Sequence, residues 1–432
     1  MKIDVLIIER LFNTFNYTIK LSDYKSPFIV TGLNGYGKTT ILTIIKRLSE
    51  KDFFYFYRLP FNKINILFDN GTKVNILSKK ETTQEGYDEN DDYNLTVPRV
   101  VTFTLITNQG VEYTFELNKK EIICAAKFMY QDGLCARYNV NSDKFYEQTL
   151  KNKAFYRYFG HNENFNLISM MLDGLKVTFI TAQRLYPVEK KEEVYDDYPF
   201  ESEPIRRPKI SEVSCLIKEL LEREKKNFQN KSEYIDNKLM DSLLSDTWAL
   251  DEHSYGELKD NVSKKIADLR SFGLVGNIVI HPYTKAHEHI LSVYLKNMDE
   301  KLKTYDNILS KLKLFNTMIN SLKFVNKSIS YNPERGLVIK TSDGLFLDEN
   351  KLSSGEQNEI VMLYEMIFEV ADNSILLVDE PEISLHVAWQ NKFLDMMSDI
   401  ASNGNIQVVV ATHSPQIIGN RWFECYDLCE QE

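Results

Sequence analysis

The apolar residues near both ends of the chain fall into short runs bounded by polar or glycine-containing turns, as in buried strands. These runs lie at Ile3–Ile8, Tyr17–Leu21, Pro27–Val30, Val177–Ile180, Ser374–Val378 and Gln407–Ala411. The segment Thr40–Leu48 is rich in Ile and Leu and predicts a helix after the third run. The last two runs are almost wholly apolar, which suits parallel strands covered on both faces. The pattern therefore predicts an α/β fold.

Two further pairs of runs predict β-hairpins after the first helix. Ile64–Phe68 and Lys73–Leu77 flank Asn70-Gly71, a dipeptide that favours a tight hairpin turn. Val100–Thr107 and Val111–Leu117 flank a second turn that also contains glycine. We expect these runs to form an antiparallel β patch in addition to the parallel strands.

The middle of the chain changes to helical periodicity. Apolar residues are spaced alternately by four and three positions at Leu291, Leu295, Met298, Leu302, Tyr305, Leu309 and Leu312. This spacing is that of a coiled-coil seam, and Ile319 continues it. One helix from Leu291 to Ile319 would be about 44 Å long at about 1.5 Å per residue. The pattern fits an ordinary helical subdomain or a protruding insertion that mediates assembly or partner contact, and we favour the insertion.

The composition argues against several classes of protein. The chain has 52 Lys and Arg residues against 62 Asp and Glu, which counts against a protein that coats nucleic acid non-specifically. No apolar run reaches the roughly 18 residues of a transmembrane helix, and the N-terminus lacks the features of a signal peptide. The five cysteines form no CxxC pair. We therefore expect a cytoplasmic protein with reduced thiols and no membrane partner.

A glycine-rich segment between the third strand and the first helix carries the clearest chemical signal. Gly32–Thr39 fits the pattern GxxxxGK[ST] without mismatch, and its strand–turn–helix context supports the motif. Glycines let backbone N–H groups turn toward phosphate oxygens, and the helix N-terminus adds its dipole. We expect Lys38 to reach the β- and γ-phosphates of ATP and the Thr39 hydroxyl to bind Mg²⁺. The predicted nucleotide-binding residues here are Asn34, Gly35, Tyr36, Gly37, Lys38, Thr39 and Thr40.

A second chemical signal follows the apolar run at Ile375–Val378. Asp379 and Glu380 come directly after it, at the carboxyl end of a predicted strand, where ligands bind in parallel α/β sheets. We expect Asp379 to hold Mg²⁺, through water, and Glu380 to polarise the attacking water as general base. With a phosphate-binding loop upstream, this pattern predicts a Walker B strand.

Three shorter motifs resemble those of ABC-class ATPases. LSSGEQ at Leu352–Gln357 resembles the signature that binds the γ-phosphate of the partner protomer's nucleotide. The same residues also fit a helix N-cap, and both interpretations can hold together, but we favour the signature. The resemblance assigns nucleotide contacts to Ser353, Ser354, Gly355 and Glu356. His413 in ATHSP resembles the switch histidine that contacts the γ-phosphate. Gln183 in FITAQRL resembles the Q-loop glutamine, which contacts nucleotide and joins Mg²⁺ to the helical insertion.

The motifs define the expected fold class and domain organisation. The fold class is α/β, an ABC-type P-loop ATPase head whose mixed or parallel sheet and antiparallel patch are interrupted by a helical, partly coiled-coil insertion. We predict that residues 1–185 form the N-terminal part of the head and that 186–209 form a linker. Residues 210–327 would form the insertion, and 328–432 the C-terminal part of the head with signature, Walker B and switch histidine.

Together the motifs resemble the OLD, RecF and SMC-like group of ATPases, and most closely the ATPase subunits of bacterial antiphage systems of the PARIS type, then of the Septu type. This resemblance implies ATP and Mg²⁺ as cofactors. It also implies a homo-oligomer built from ATP-sandwich dimers and the helical insertion. A separate Toprim-like nuclease effector and a phage-encoded trigger protein would be its partners. Only 19 residues follow His413, so we expect no Toprim domain within this chain.

Two other functions compete with the defence role. A RecF-like repair ATPase would bind DNA, and the segment Tyr283–Lys323 favours this slightly because it holds seven Lys against four Asp and Glu. The acidic balance of the whole chain counts against it. The ATPase subunit of a membrane transporter is the third possibility, but such heads are shorter and lack a large helical insertion.

Overall fold

The computed structural model describes residues 1–23, 27–80, 99–118, 120–122, 125, 158–181, 209–245, 248–321, 324, 326–332, 334–385 and 387–431. Its residue contacts divide the chain into two compact units. The first unit comprises Met1–Ala182, Val370–Ile383 and Val387–Glu432, and the second comprises Gln183–Glu369 and Ser384–His386.

The described strands and α-helices are numbered along the chain. The strands are β1 (Ile3–Leu11), β2 (Phe15–Lys20), β3 (Phe28–Thr31), β4 (Lys63–Phe68), β5 (Lys73–Lys80), β6 (Arg99–Ile106), β7 (Glu112–Leu117), β8 (Val177–Ile180), β9 (Lys327–Asn332), β10 (Gly336–Thr341), β11 (Phe346–Leu347), β12 (Ile375–Asp379), β13 (Gln407–Ala411) and β14 (Cys425–Asp427). The helices are α1 (Lys38–Ser49), α2 (Phe53–Arg58), α3 (Glu163–Leu172), α4 (Lys209–Asn237), α5 (Leu239–Ser245), α6 (Glu252–Ser271), α7 (Glu288–Leu302), α8 (Asp306–Ser321), α9 (Ser354–Tyr364), α10 (Val387–Gly404) and α11 (Pro415–Ile418).

A five-stranded sheet with the order β14-β3-β13-β12-β8 forms the centre of the first unit. Each neighbouring pair in it is parallel. Strands β3 and β12 are buried along their whole length, because their apolar side chains are covered on both faces. The parallel strands expected from the apolar runs are therefore present. Their carboxyl ends bring the loops after β3, β12 and β13 to one edge of the sheet.

A six-stranded antiparallel sheet with the order β2-β1-β4-β5-β6-β7 completes the first unit. Both hairpins predicted from the sequence are present, as β4–β5 and β6–β7. Strand β4 alternates between half-buried and buried residues, as a strand with one face on the core should. Aromatic rings fill much of that core: Phe53 contacts Phe103 and Phe165 with ring centroids 4.9 and 5.4 Å apart.

The second unit consists of helices and a three-stranded antiparallel sheet with the order β11-β10-β9. This sheet is joined closely to α4. The Ser214 hydroxyl of α4 accepts from the Leu337 N–H at 3.2 Å and donates to the Arg335 carbonyl at 3.1 Å. A Cβ on Gly336 would lie 2.0 Å from the Ser214 carbonyl oxygen, so only glycine permits this approach. By its residue contacts, this three-stranded sheet belongs to the second unit, which extends to Glu369.

The periodic apolar stripe of the middle region forms two helices, where the sequence predicts one continuous helix. Helices α7 and α8 are separated by a 3₁₀ turn at Lys303–Tyr305. Tyr305 is fully buried there, its ring lies 5.0 Å from that of Phe228 in α4, and its hydroxyl donates to the Leu274 carbonyl. Much of the stripe therefore packs within its own unit, against α4 and α6. This use of the stripe fits the helical-subdomain interpretation.

The helix that begins at Ser354 also changes type along its length. Helix α9 ends at Tyr364, and Glu365–Glu369 continues as a π-helix. Hydrophobic periodicity does not distinguish these two helix types over so short a segment. Among the described residues, no helix is long and apolar enough to cross a membrane.

Candidate functional site

The loop between β3 and α1 takes a conformation that requires glycine. Gly35 and Gly37 have φ angles of 93° and 84°, in the left-handed region that L-residues rarely adopt. Gly35 has open space around it, so its φ alone demands glycine, whereas a Cβ on Gly37 would also lie 3.2 Å from Leu11 Cδ2. A backbone of this kind presents successive N–H groups to an anion at the start of a helix.

This loop forms one wall of a cavity of about 260 Å³. The cavity is lined by Phe12, Asn34, Gly35, Gly37, Lys38, Thr39, Thr40 and Glu380. The structure thus brings six of the seven predicted loop residues together with the predicted general base. Tyr36 faces elsewhere: its ring packs on Phe15 with centroids 5.1 Å apart, and its carbonyl accepts from the Tyr17 hydroxyl.

Lys38 is held within the loop by its own backbone. Its side chain is buried, and its ammonium group donates to the carbonyls of Gly32 at 2.7 Å and Leu33 at 3.2 Å. An ammonium group has three donors, so this position leaves donor capacity for a phosphate oxygen. The loop therefore contains a buried positive charge directly beside the cavity.

Asp379 lies at the carboxyl end of β12 and is buried. Burial raises the pKa of Asp379, and the charges of Glu380 and Glu382 act in the same direction. A hydrogen bond from the Thr39 hydroxyl and the charge of Lys38 oppose this rise. Its Oδ1 atom is buried and has no hydrogen-bond partner among the described residues. Such an oxygen is costly to bury unless a cation or donor satisfies it.

The pair formed by Asp379 and Thr39 fits a hard divalent cation. Carboxylate and hydroxyl oxygens are the ligands that Mg²⁺ takes from proteins, with phosphate oxygens and water supplying the rest. The unpartnered Oδ1 is the atom that such a cation would satisfy. Two of the three residues predicted to contact Mg²⁺, Thr39 and Asp379, are therefore in contact with each other beside the phosphate-binding loop.

Glu380 has an unusual backbone conformation for a glutamate. Its φ angle is 45°, which costs about 1–3 kcal/mol for a residue with a side chain. Its N–H donates to the Ala411 carbonyl at 2.9 Å, and this bond holds the turn after β12 against the end of β13. The side chain is 29% exposed and lines the cavity. The strained turn thus directs the predicted base into the space where a nucleotide would lie.

His413 follows β13 and lies beside two carboxylates. Its Nδ1 atom is 3.2 Å from Glu382 Oε1 and 3.8 Å from Glu380 Oε1. Half of the His413 side chain is exposed, whereas only 9% of the Glu382 side chain is. The predicted switch histidine and the predicted base are therefore neighbours at the same edge of the sheet.

The signature residues lie in the second unit and form a self-contained turn. Ser353 is the N-cap of α9, and it exchanges hydrogen bonds with Glu356 in a capping box. Lys327 donates to both Glu356 oxygens at 2.7 and 2.9 Å. Burial raises the pKa of Glu356, but these hydrogen bonds outweigh it and the net shift is downward. Ser354 and Gly355 are exposed, and a Cβ on Gly355 would meet only open space.

Two residues of the site are missing from the predicted set. Phe12 lines the cavity from the turn between β1 and β2, with a φ of 53° and a side chain 39% exposed. Glu382 accepts a hydrogen bond from the N–H of His413 and so holds its loop. In the sequence it follows Asp379 and Glu380 as a third acidic residue, and this is the signal that could have identified it. Gln183, the predicted Q-loop residue, lies outside the described residues.

Comparison with known proteins identifies the family. Residues 1–418 match the family described as the AAA ATPase domain. The chain belongs to this family. Nucleotide binding is a property that membership implies, and the predicted α/β P-loop ATPase fold is confirmed.

Individual relatives of this AAA-family chain are distant. It resembles the Smc head domain of Pyrococcus furiosus, which was solved with an extended coiled coil and bound to the C-terminal domain of ScpA. The two chains are 14% identical, the match covers 97% of this chain and 91% of that chain, and the TM-score is 0.33. It resembles the SMC head domain of Thermotoga maritima at 10% identity, 97% and 91% coverage and a TM-score of 0.33. Protein ea59 of Escherichia phage lambda is 32% identical over 68 residues, which are 16% of this chain and 13% of the phage protein.

Proposed function

We propose that the first unit binds ATP with Mg²⁺ and hydrolyses it. One observation carries this proposal: the buried Oδ1 of Asp379, which has no partner among the described residues, lies at the carboxyl edge of the parallel sheet beside Thr39. Bound Mg²⁺ would offset charge on the phosphates during transfer. Lys38 would use its remaining donor for a phosphate oxygen and keep its two carbonyl contacts, so that a charged hydrogen bond neutralises part of the anion.

Glu380 is the residue best placed to act on the attacking water. It is partly exposed and lines the cavity, so a water can reach it. Among the described carboxylates beside His413, Glu382 already accepts several hydrogen bonds and is less available to a water. Glu380 would therefore orient and deprotonate the water, and His413 would contact the γ-phosphate.

The second unit would complete the site of another protomer. Ser354 and Gly355 are exposed at the N-terminus of α9, where helix N–H groups attract anions. In this proposal, two copies close on two ATP molecules, and each signature turn contacts the nucleotide of its partner. Gln183 remains the proposed link between Mg²⁺ and the second unit.

Hydrolysis by the purified chain tests this proposal. Wild-type protein is expected to release phosphate from ATP in Mg²⁺ and not in EDTA. Glu380→Gln is expected to bind ATP normally but to hydrolyse it about 10²–10⁴-fold more slowly, because general-base catalysis is lost. Glu9→Gln on β1 is a matched control, because Glu9 is a half-exposed glutamate paired with Lys63. Wild-type hydrolysis by Glu380→Gln would refute the assignment of the base.

The proposed biological role is that of a sensor and scaffold subunit in an antiphage defence system. The support is the resemblance of the THSP form of the switch-histidine loop, the FITAQRL segment and the modest helical insertion to ATPases of the PARIS and Septu systems. In this role the chain sequesters a separate Toprim-like nuclease until a phage-encoded protein is sensed. Affinity purification from cells that express the neighbouring genes is expected to recover a nuclease-like protein in a large assembly. A lone dimer whose ATPase rises on adding DNA would contradict this role.

A lone dimer whose ATPase activity rises on adding DNA would support a RecF-like repair ATPase. The lysine surplus in Tyr283–Lys323 favours DNA binding, but the structure reduces its weight. Among the described lysines of this segment, ion pairs join Lys301 to Asp236, Lys303 to Asp299 and Glu300, and Lys313 to Asp268. A lysine paired with a carboxylate contributes less to a phosphate-binding surface.

A further inference from the structure

Glu382 is bound more extensively than a surface carboxylate. The Thr412 hydroxyl lies 2.9 Å from both of its oxygens, and the His413 N–H donates to Oε1 at 3.1 Å. The Nδ1 atom of His413 lies 3.2 Å from the same Oε1. A single, mostly buried carboxylate thus holds both the backbone and the ring of the predicted switch histidine.

Further hydrogen bonds connect the turn after β12 with the loop after β13. Gln390 of α10 donates through Nε2 to the Glu382 carbonyl at 3.3 Å and accepts the Ser414 hydroxyl at 2.9 Å. The Ser414 N–H donates to Thr412 Oγ1 at 3.0 Å. Thr412 and Ser414 are both buried, so these polar groups depend on one another for partners. The loop that presents His413 is therefore built around Glu382.

The contact at Nδ1 determines what the other ring nitrogen can do. The ion-pair contact of Nδ1 with Glu382 occupies that side of the ring, which leaves Nε2 as the nitrogen available to a ligand. A phosphate oxygen only accepts hydrogen bonds, so Nε2 must also carry a hydrogen to bind it. A ring that bridges Glu382 and a phosphate therefore carries both hydrogens, and the Glu382 carboxylate balances its positive charge.

We infer that Glu382 is a positioning residue for ATP hydrolysis, which orients the His413 ring so that its Nε2 atom is directed toward the γ-phosphate. This inference rests on the proposed function. It gives the two neighbouring glutamates different roles: Glu380, strained and open to the cavity, acts on water, whereas Glu382, enclosed by donors, holds the histidine. The division follows from their different hydrogen bonding, since a carboxylate whose lone pairs are occupied is a poor acceptor for a reacting proton.

The test combines steady-state kinetics with ¹⁵N spectra of the histidine ring. Glu382→Gln keeps the shape and can still accept one N–H, but it removes the charge. We expect its KM for ATP to stay within about threefold and its kcat to fall roughly 10- to 100-fold, as when a partner that orients a functional histidine is lost. The ring ¹⁵N shifts of His413, identified by their loss in His413→Gln, should move. Glu9→Gln should change neither readout, because Glu9 lies outside the site.

Two outcomes would overturn the inference: unchanged His413 ring shifts in Glu382→Gln, or a wild-type kcat in that variant. The spectra are recorded without turnover, so they test Glu382 even if the chain proves not to hydrolyse ATP. Hydrolysis by Glu380→Gln at the wild-type rate would instead refute the proposed function. Should Glu382→Gln fail to fold, Thr412→Val tests the same contact, since it removes a donor to Glu382 without changing side-chain shape. Unmoved His413 shifts in Thr412→Val would then reject the inference.

Discussion

The phosphate-binding loop (Gly32–Thr39) and the signature turn (Leu352–Gln357) both precede a helix. They differ in whether the polar groups beside them have hydrogen-bond partners. At the signature turn, Ser353, Glu356 and Lys327 satisfy one another within the second unit. At the cavity of the first unit, Asp379 has a buried oxygen without a partner among the described residues, and Glu380 has a strained backbone. One region stabilises its own fold, and the other keeps unsatisfied groups where a ligand would bind.

Approximate energies show the size of this contrast. A capping serine contributes about 0.5–2 kcal/mol to stability. An unsatisfied buried polar group costs about 1–3 kcal/mol, and a left-handed glutamate costs about as much again. Substitutions should therefore lower stability at the signature turn, while at the cavity they should remove binding and leave stability unchanged or raise it.

The largest expected effect in this comparison is loss of binding at the cavity. Lys38→Ala removes a charged donor to phosphate, so ATP affinity should fall about 10- to 100-fold, as charge-assisted hydrogen bonds are worth about 1.5–3 kcal/mol. Isothermal titration would measure this. Lys46→Ala, in the same helix but partly exposed and paired with Glu50, should bind ATP like wild type. Equal losses in both variants would show that α1, and not the Lys38 charge, is responsible.

Most of the cavity follows from the sequence because its determinants are local. The spacing of glycines with Lys38 and Thr39, between an apolar run and a helix, defines the loop. The apolar run before Asp379 and Glu380 likewise predicts β12 and its carboxyl end. In these short segments, the local order of residues is enough to predict the element and the position of its end.

The remaining features depend on neighbours that are distant in sequence. Glu382 and Thr412 are 30 positions apart, and only the parallel pairing of β12 with β13 brings their loops together. The break between α7 and α8 occurs beside Tyr305, whose ring packs on Phe228 of another helix. A heptad pattern identifies the buried face of a helix but not the tertiary contacts at which the helix is interrupted.

A smaller effect is expected at the cavity for stability, which should rise when the Asp379 carboxylate is removed. Because burial raises the pKa of Asp379 above its usual 3.8, the folded state binds this proton more tightly than the unfolded chain does. The carboxylate therefore lowers stability above that range, and Asp379→Asn should unfold at a higher temperature than wild type at pH 7 without nucleotide or Mg²⁺. The gain, about 1 kcal/mol for a buried polar group, should shrink as the pH falls toward 4.

Thermal unfolding by circular dichroism between pH 7 and pH 4.5 would measure this gain. A variant that is less stable than wild type at pH 7 would contradict the assignment of Asp379 as an unsatisfied carboxylate. A gain that grows as the pH falls would contradict it equally, because the sign of the pKa shift requires the reverse.

An effect of similar size, but a loss of stability, is expected at the signature turn. Ser353→Ala removes the N-cap of α9 and should destabilise the protein by about 1 kcal/mol, with ATP affinity unchanged. Ser354→Ala is the matched control: its side chain is exposed, so melting should stay within experimental error while hydrolysis falls. Unfolding and ATPase assays on both variants separate the capping role from the proposed contact in trans. Equal changes in melting and in hydrolysis for the two variants would show that Ser353 and Ser354 do not have these separate roles.

The central claim is that Asp379 and Thr39 form the cation end of an ATP site. Titration of ATP into wild-type protein and Asp379→Asn, each in Mg²⁺ and in EDTA, tests it most directly. Mg²⁺ is expected to tighten ATP binding to the wild-type protein and to have no such effect in Asp379→Asn. Equal affinity in Mg²⁺ and EDTA for the wild-type protein, or a full Mg²⁺ effect in Asp379→Asn, would contradict it.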